Sequence, residues 1–230
     1  MAPLQAQRYA FRQYGTEQGL DNQVPTAILQ DQTGFLWVGT QNGLFRYDGS
    51  RFRDFSGDAR NRPFVTVLHE SKDGTLWMGT SKGTLFYRQG DKFVPVQDAV
   101  VGRISPANAI GSDSQGKLYL GTLNGLVIAE RTESGFRFRK SPNPEEVHDE
   151  YVTSVFVESD DSVWFGCGRS ICRLSRNSTE VFAEANAVPA QRWTMILKDA
   201  QGSLWARSRN MLLERKPGAR QWIDHSDEIK

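Results

Sequence analysis

One pattern recurs five times along the 230 residues and confines the chain to very few architectures: an acidic or polar pair, a glycine, a leucine, then an aromatic. The first copy holds Asp31, Gly34, Leu36, Trp37, Gly39 and Thr40; the second holds Asp73, Gly74, Leu76, Trp77, Gly79 and Thr80. The third holds Asp113, Gly116, Leu118, Tyr119, Gly121 and Thr122. Two weaker copies follow, around Asp160, Asp161, Trp164, Gly166 and Cys167, and around Asp199, Gly202, Leu204, Trp205 and Arg207. The aromatic anchors stand at 37, 77, 119, 164 and 205, so the period runs from 40 to 45 residues. Self-similarity at such a period marks a chain built from one supersecondary unit, each copy burying its neighbour.

Within one period the signals are those of short strands. An apolar run such as 24–29, 64–68 or 151–156 leads into a tight turn, where an Asp can bond its own backbone and Gly34 or Gly74 takes a positive φ. The anchor strand comes next, and Asn42-Gly43 or Asn124-Gly125 marks a hairpin into a third strand, 44–47 in the first copy. A turn at 48–50 feeds a fourth strand at 51–55. No window carries a 3.6-residue apolar stripe. Solenoids of this period are mostly helical pairs, whereas four antiparallel strands in ~40–45 residues make a β-propeller blade. Leu36, Trp37 and Val38 are consecutive apolar residues, as expected of a strand buried on both faces between stacked blades.

The expected fold is therefore all-β, a β-propeller of four-stranded antiparallel blades forming a single region over 1–230. The blades fall near 21–56, 62–95, 105–140, 150–183 and 191–224, about five in all. Residues 8–14 read as the outer strand of a closing blade. The fifth unit has its own fourth strand at 221–223, which leaves that N-terminal strand without a partner. The expectation is a fragment of a seven-bladed ring, with a closed five-bladed ring as the rival.

Composition removes several function classes. With 28 Lys+Arg against 27 Asp+Glu and a formal charge of +1, the chain has no electrostatic footprint for a nucleic acid. Its apolar runs fall far short of the ~20 residues of a membrane span, so no membrane contact is expected of this segment. Two cysteines cannot build a disulfide scaffold or a four-thiolate zinc site. His69, His148 and His225 lie far apart without ligand spacing, and no nucleophile elbow, phosphate-cradling loop or His-Glu-x-x-His is present. No catalytic residue, metal or cofactor is expected. Asp31, Asp73, Asp113 and Asp199 recur at one turn and read as backbone caps, and the anchors read as core. Cys167 ends an anchor strand and Cys172 lies early in the next, so the two face each other across a hairpin. A disulfide and a pair of free thiols both remain open.

Recognition is expected where loops meet on one face of the rigid sheet scaffold. The hairpins between second and third strands supply Asn42, Lys82, Asn124, Arg169 and Arg209, and the connections 56–62, 97–105, 141–150 and 183–191 join them. Tyr151 and Arg192, at the entries to first strands, complete the candidate ligand-binding set. Lys82, Arg169 and Arg209 would make a cationic mouth for an anionic sugar or a carboxylate; ordinary solvated turns are the alternative.

The stretch 19–49, with Gly19-Leu20, Asp31, Gly34, Trp37, Gly39-Thr40, Gly43 and Tyr47-Asp48-Gly49, resembles the two-component-regulator propeller repeat. The first copy matches nearly throughout, and the second and third match over their central residues. The fourth lacks the turn glycine and has Cys167 for Thr; the fifth has Ala206-Arg207 for Gly-Thr. The resemblance implies the periplasmic sensor region of a membrane histidine kinase, hybrid two-component system or diguanylate cyclase. In such proteins a signal peptide and propellers precede a β-sandwich, a membrane helix and a cytoplasmic output module. Residues 1–7 show neither the basic start nor the apolar core of a signal peptide. The function expected is a non-catalytic sensor module that recognises a small molecule, such as an oligosaccharide, or a protein. The rest of the same polypeptide or a second protomer would be further partners. The alternatives are a protein–protein scaffold, or a propeller lyase or hydrolase, which would need a His or carboxylate pair at the central mouth.

Overall fold

The computed structural model describes residues 11–58, 60–96, 102–106, 108–133, 135–141, 151–176 and 178–229. They form five four-stranded antiparallel sheets, each in simple sequential order. Blade one comprises β1 (Pro25–Gln30), β2 (Leu36–Thr40), β3 (Gly43–Tyr47) and β4 (Phe52–Asp54). Blade two comprises β5 (Val65–Glu70), β6 (Leu76–Thr80), β7 (Leu85–Gln89) and β8 (Lys92–Pro95). Blade three comprises β9 (Ile110–Ser112), β10 (Leu118–Thr122), β11 (Gly125–Thr132) and β12 (Gly135–Lys140). Blade four comprises β13 (Val152–Val157), β14 (Val163–Cys167), β15 (Ser170–Ser175) and β16 (Ser178–Phe182). Blade five comprises β17 (Met195–Lys198), β18 (Leu204–Arg207), β19 (Leu212–Arg215) and β20 (Ile223–Asp224). Three short 3₁₀ turns are the only helical elements among the described residues. First strands pack side by side in chain order, β1 on β5, β5 on β9, β9 on β13 and β13 on β17, which makes the fold a β-propeller.

The anchors explain the stacking. Trp37, Trp77, Tyr119 and Trp164 are buried, and each packs into the cluster shared with the following blade. Trp37, for example, meets Val65, Leu76 and Met78 of blade two. The fifth anchor differs. Trp205 is only half-buried, with His225 centred 5.2 Å from its ring. Two residues beyond each of the first four anchors stands a glycine, which lets blades approach closely. A Cβ on Gly39 would meet Val65 Cγ1 at 2.5 Å, and one on Gly121 would meet Val152 Cγ1 and the Val152 carbonyl at 3.0 Å. Blade five has exposed Arg207 at that position, so its Gly-Thr is replaced by Arg207-Ser208 and not, as the sequence pattern suggested, by Ala206-Arg207. Hydroxyls stitch the same seams. Thr26 Oγ1 donates to Val65 O of the next blade at 2.6 Å, and Ser105 Oγ donates to Val152 O at 2.6 Å.

The recurrent acid has two tasks, and the structure corrects which residue holds it. Six residues before the anchor stand Asp31, Ser71, Asp113, Glu158 and Asp199; Asp73 lies four before, with Thr33, Gln115, Asp160 and Gln201. Asp31 Oδ1 accepts from Thr33 N (3.0 Å), Thr33 Oγ1 (2.6 Å) and Phe35 N (2.9 Å), while Oδ2 accepts Trp37 Nε1 at 2.7 Å. One carboxylate thus caps the turn and pins the anchor indole. Asp113 and Asp199 do the same for Tyr119 and Trp205. In blade two the tasks divide: Ser71 Oγ takes Trp77 Nε1 at 2.9 Å, and Asp73 caps Thr75 N at 2.9 Å. Blade four divides them between Glu158, on Trp164 Nε1, and Asp160, on Ser162 N. There Asp161 replaces the turn glycine at φ 62°, and its carboxylate accepts from Ser114 N of blade three at 2.8 Å.

Of the strand expected over 8–14, residues 8–10 lie outside the described residues and 11–14 have no regular structure. Tyr14 and Leu20 instead pack onto Val38, Phe45 and Phe52 of blade one.

Candidate functional site

The hairpins between second and third strands and the connections between blades do share one face. Gly43 N donates to Pro63 O at 2.9 Å, Leu123 N to Arg103 O at 3.1 Å, and Gln191 N to Arg169 O at 3.1 Å. The hairpins of blades one and four are therefore clamped to the segment entering the following blade, and that of blade three to the segment entering its own.

Three of the seven candidate residues come together on this face, at the boundary of blades four and five. The Arg169 guanidinium donates through Nε (3.2 Å) and Nη2 (2.9 Å) to Ala190 O, which fixes the hairpin against the connection. Gly168 N donates to Tyr151 O at 2.9 Å, which brings Tyr151 to the same hairpin. The Arg192 guanidinium carbon then lies over the Tyr151 ring, 5.0 Å from its centroid. Arg169 and Arg192 are exposed and Tyr151 is half-buried. A tyrosine face, a phenol hydroxyl and two guanidiniums in one exposed patch offer stacking together with charge-assisted hydrogen bonds.

The other four are dispersed. Asn42 N donates to Thr40 Oγ1 at 3.1 Å, so Thr40 caps the turn, and the Asn42 carbonyl accepts from Arg62 Nη1 at 3.4 Å. Asn124 N donates to Thr122 Oγ1 at 3.1 Å, and its side-chain amide faces Gly102. Lys82 and Arg209 are exposed and have no ion pair among the described residues. The connection 142–150, with His148, lies outside the described residues.

Cys167 and Cys172 are joined as a disulfide, with Cα atoms 5.8 Å apart. Their strand positions pair with Ser170 and Phe165, so the bond runs diagonally across the hairpin. Both cysteines are buried among Tyr119, Leu126 and Val152 at the seam of blades three and four. The bond braces the hairpin that carries Arg169.

The two described histidines are occupied by packing. Burial pushes the His69 imidazole down to about 4, so it is neutral, and Nε2 meets Ser112 Oγ of blade three at 2.8 Å. His225 Nε2 meets Glu214 Oε2 at 3.0 Å, and Ser203 Oγ donates to Glu214 Oε1 at 2.8 Å. A serine, a carboxylate and an imidazole thus stand in a row. The serine, however, bonds the carboxylate rather than the imidazole, so this is not the nucleophile–base order that catalysis needs. No group of three or more His, Cys, Asp or Glu residues among the described residues could hold a metal ion.

Residues 19–42 match the family model described as two component regulator propeller. No protein of curated function matches the sequence. Among solved structures, the extracellular domain of a hybrid two component system of B. thetaiotaomicron superposes with a TM-score of 0.72 at 20% identity, over 92% of this chain and 31% of that one. The extracellular domain of a one component system of the same organism gives 0.68 at 20% identity, over 90% of this chain and 28% of that one. A virginiamycin B lyase from Staphylococcus aureus gives 0.67 at 18% identity, over 87% of this chain and 69% of that one. The chain therefore spans under a third of the two extracellular domains it resembles. No helix among the described residues is long and apolar enough to cross a membrane.

Proposed function

We propose that this chain is the recognition part of an extracytoplasmic sensor in a transmembrane signalling protein, without chemistry of its own. Its ligand would be an anionic or hydroxyl-rich small molecule, of the size of an oligosaccharide, held on the loop face over blades four and five. One observation carries the reading: Tyr151, Arg169 and Arg192 converge there, while the repeated acids and aromatics are used up in packing. The propeller repeat and the likeness to extracellular sensor domains support the signalling role. The buried Cys167–Cys172 bond supports an oxidising compartment such as the periplasm.

The test is a library of neutral and acidic oligosaccharides and small carboxylates, screened by thermal shift and followed by calorimetry. A ligand present at a hundred times its Kd stabilises the fold by about 2.7 kcal/mol, which such a screen detects. The reading expects a saturable hit that Tyr151→Ala and Arg192→Ala each weaken roughly tenfold or more. A hit that neither substitution affects, or no hit alongside stable capture of a polypeptide on the same face, overturns it.

A further inference from the structure

On the face opposite the hairpin loops, again between blades four and five, lies a cleft of about 250 Å³ lined by Glu158, Arg173, Lys198, Leu204, Arg215 and Pro217. Cations enter it from both blades. Arg173 of β15 and Arg215 of β19 place their guanidinium carbons 5.5 and 5.1 Å from the centroid of the Trp164 ring. Lys198 ends β17 beside them.

The nearby acids are already engaged. Glu158 accepts Trp164 Nε1 on Oε1 at 2.7 Å and Lys198 Nζ on Oε2 at 2.5 Å. Asp160, outside the cleft, accepts from Arg173 Nη2 at 3.2 Å. Arg215 has no ion pair among the described residues, and the Nε atoms of both arginines are buried without a hydrogen-bond partner. Burial and the neighbouring Arg173 push the Arg215 pKa down, against a partial pull from Glu180 and Glu158. A desolvated guanidinium short of an anion is costly, and the ordinary remedy is a bound one.

The seam of blades one and two carries a related pair of arginines, one of which has an acid beside it. Between blades one and two, Arg46 and Arg88 approach Trp37 at 5.7 and 5.3 Å. Arg88 follows the cross-strand partner of its anchor, Tyr87, as Arg215 follows Glu214. There Asp91 lies 3.8 Å from Arg88. The register position of Lys198, opposite Leu204, is filled in blade two by Glu70, opposite Leu76. Arg46 Nε is buried without a partner there too, and Glu70 accepts from Gln32 N; what sets the seam of blades four and five apart is a third cation, Lys198, in the cleft.

We propose that the cleft between blades four and five binds a small tetrahedral oxyanion, phosphate or sulfate or the phosphate group of a small monoester, between Arg215, Arg173 and Lys198. Planar guanidinium forks match the oxygens of such an anion in pairs, and the volume admits one group of that size. The site is independent of the loop-face patch.

The test is calorimetry and thermal shift on the full chain with inorganic phosphate, sulfate and glycerol 3-phosphate, at fixed ionic strength with chloride as the control. The proposal expects a saturable rise in Tm with phosphate or sulfate, and an affinity reduced roughly tenfold or more by Arg215→Met. Arg215→Lys should retain part of it, and the exposed Lys198→Met, which leaves the Trp164 packing alone, should weaken it several-fold. Tighter binding of glycerol 3-phosphate assigns the site to an ester, and equal or weaker binding assigns it to the free ion. Arg192→Ala on the opposite face should leave the anion affinity unchanged. The proposal is overturned if none of the three anions gives a saturable rise, or if the rise survives both Arg215→Met and Lys198→Met.

Discussion

Replacing Asp31 with alanine should destabilise the propeller by about 3 kcal/mol, and the molecule carries its own control for that figure. The buried carboxylate accepts four hydrogen bonds, three in the turn and one from the Trp37 indole. Trp37 is 1% exposed, so its stranded N–H would find no water; that costs about 2 kcal/mol, and the lost turn bonds about 1 more. For a chain of this size the sum corresponds to roughly 6–12 °C in Tm. Asp31→Ser should lose less, because Ser71 shows that a hydroxyl at this position reaches the indole, at 2.9 Å in blade two. The double change Asp31→Ser with Thr33→Asp copies the Ser71 and Asp73 pair and should recover most of the remainder. Desolvation raises the Asp31 pKa, but the bonds from Thr33, Trp37 and Phe35 outweigh it and hold the carboxyl below its ordinary value. Its stabilisation is thus complete above the unfolded-state pKa and disappears as pH falls through the lower folded one. Asp31→Ser should accordingly flatten the acid limb of the stability curve. Urea unfolding followed by Trp fluorescence measures all three variants. The pinning argument fails if alanine lies within about 0.5 kcal/mol of wild type, or if the double variant is no better than Asp31→Ser.

Two further outcomes follow from the seams. Loss of the Cys167–Cys172 bond, whose sequence separation is 5, should cost about 2 kcal/mol on chain-entropy grounds. Comparing oxidised protein with protein folded and melted under reductant should show a lower Tm, and an unchanged Tm would refute the bracing role. His69, neutral in the fold down to about 4 against an ordinary value of 6.5, must bind its proton on unfolding. Stability should therefore be full above about pH 6.5 and decline as pH drops toward 4, and His69→Gln should abolish that part of the slope. A pH titration of the unfolding midpoint in which wild type and variant run parallel between those limits would count against it.

What the sequence reveals and what it hides separate along physical lines. Position-specific packing repeats, so the anchors and their period disclose the blades. Strand edges then shift by a residue, as in β1, which begins at Pro25 rather than Val24. The acid beneath each anchor is harder to see. Ser71 and Glu158 satisfy the same indole as Asp31, so matching on aspartate misplaces Asp73 and overlooks both. The burial of an anchor also depends on what faces it: Trp205 obeys the pattern but is only half-covered, with Arg207 where the other blades carry glycine. Site residues are hidden for a different reason. Listing hairpin cations gives Lys82 and Arg209 the same weight as Arg169. Only the inward clamp onto Ala190 O separates Arg169 from the other two. Arg215 and Lys198 carry no local signal at all, since their significance is a meeting between two blades.

Beside Ser71 in blade two and Tyr119 in blade three, most departures from the repeat lie in blades four and five. In blade four Glu158 replaces aspartate, Asp161 replaces the turn glycine, and Cys167 replaces threonine; in the next blade Lys198 stands where Glu70 stands in blade two. Each change exchanges a generic packing role for a specific one. The longer Glu158 side chain reaches both the indole and Lys198. Asp161 ties the turn to Ser114 of blade three, and Cys167 closes the hairpin with Cys172. Blade four is thus bound to blade three by a carboxylate and braced there by a disulfide, while toward blade five it presents Arg173 on one face and Tyr151 with Arg169 on the other. A rigid seam on one side and a charged seam on the other is the arrangement that holds binding groups in place without spending the blade core on them.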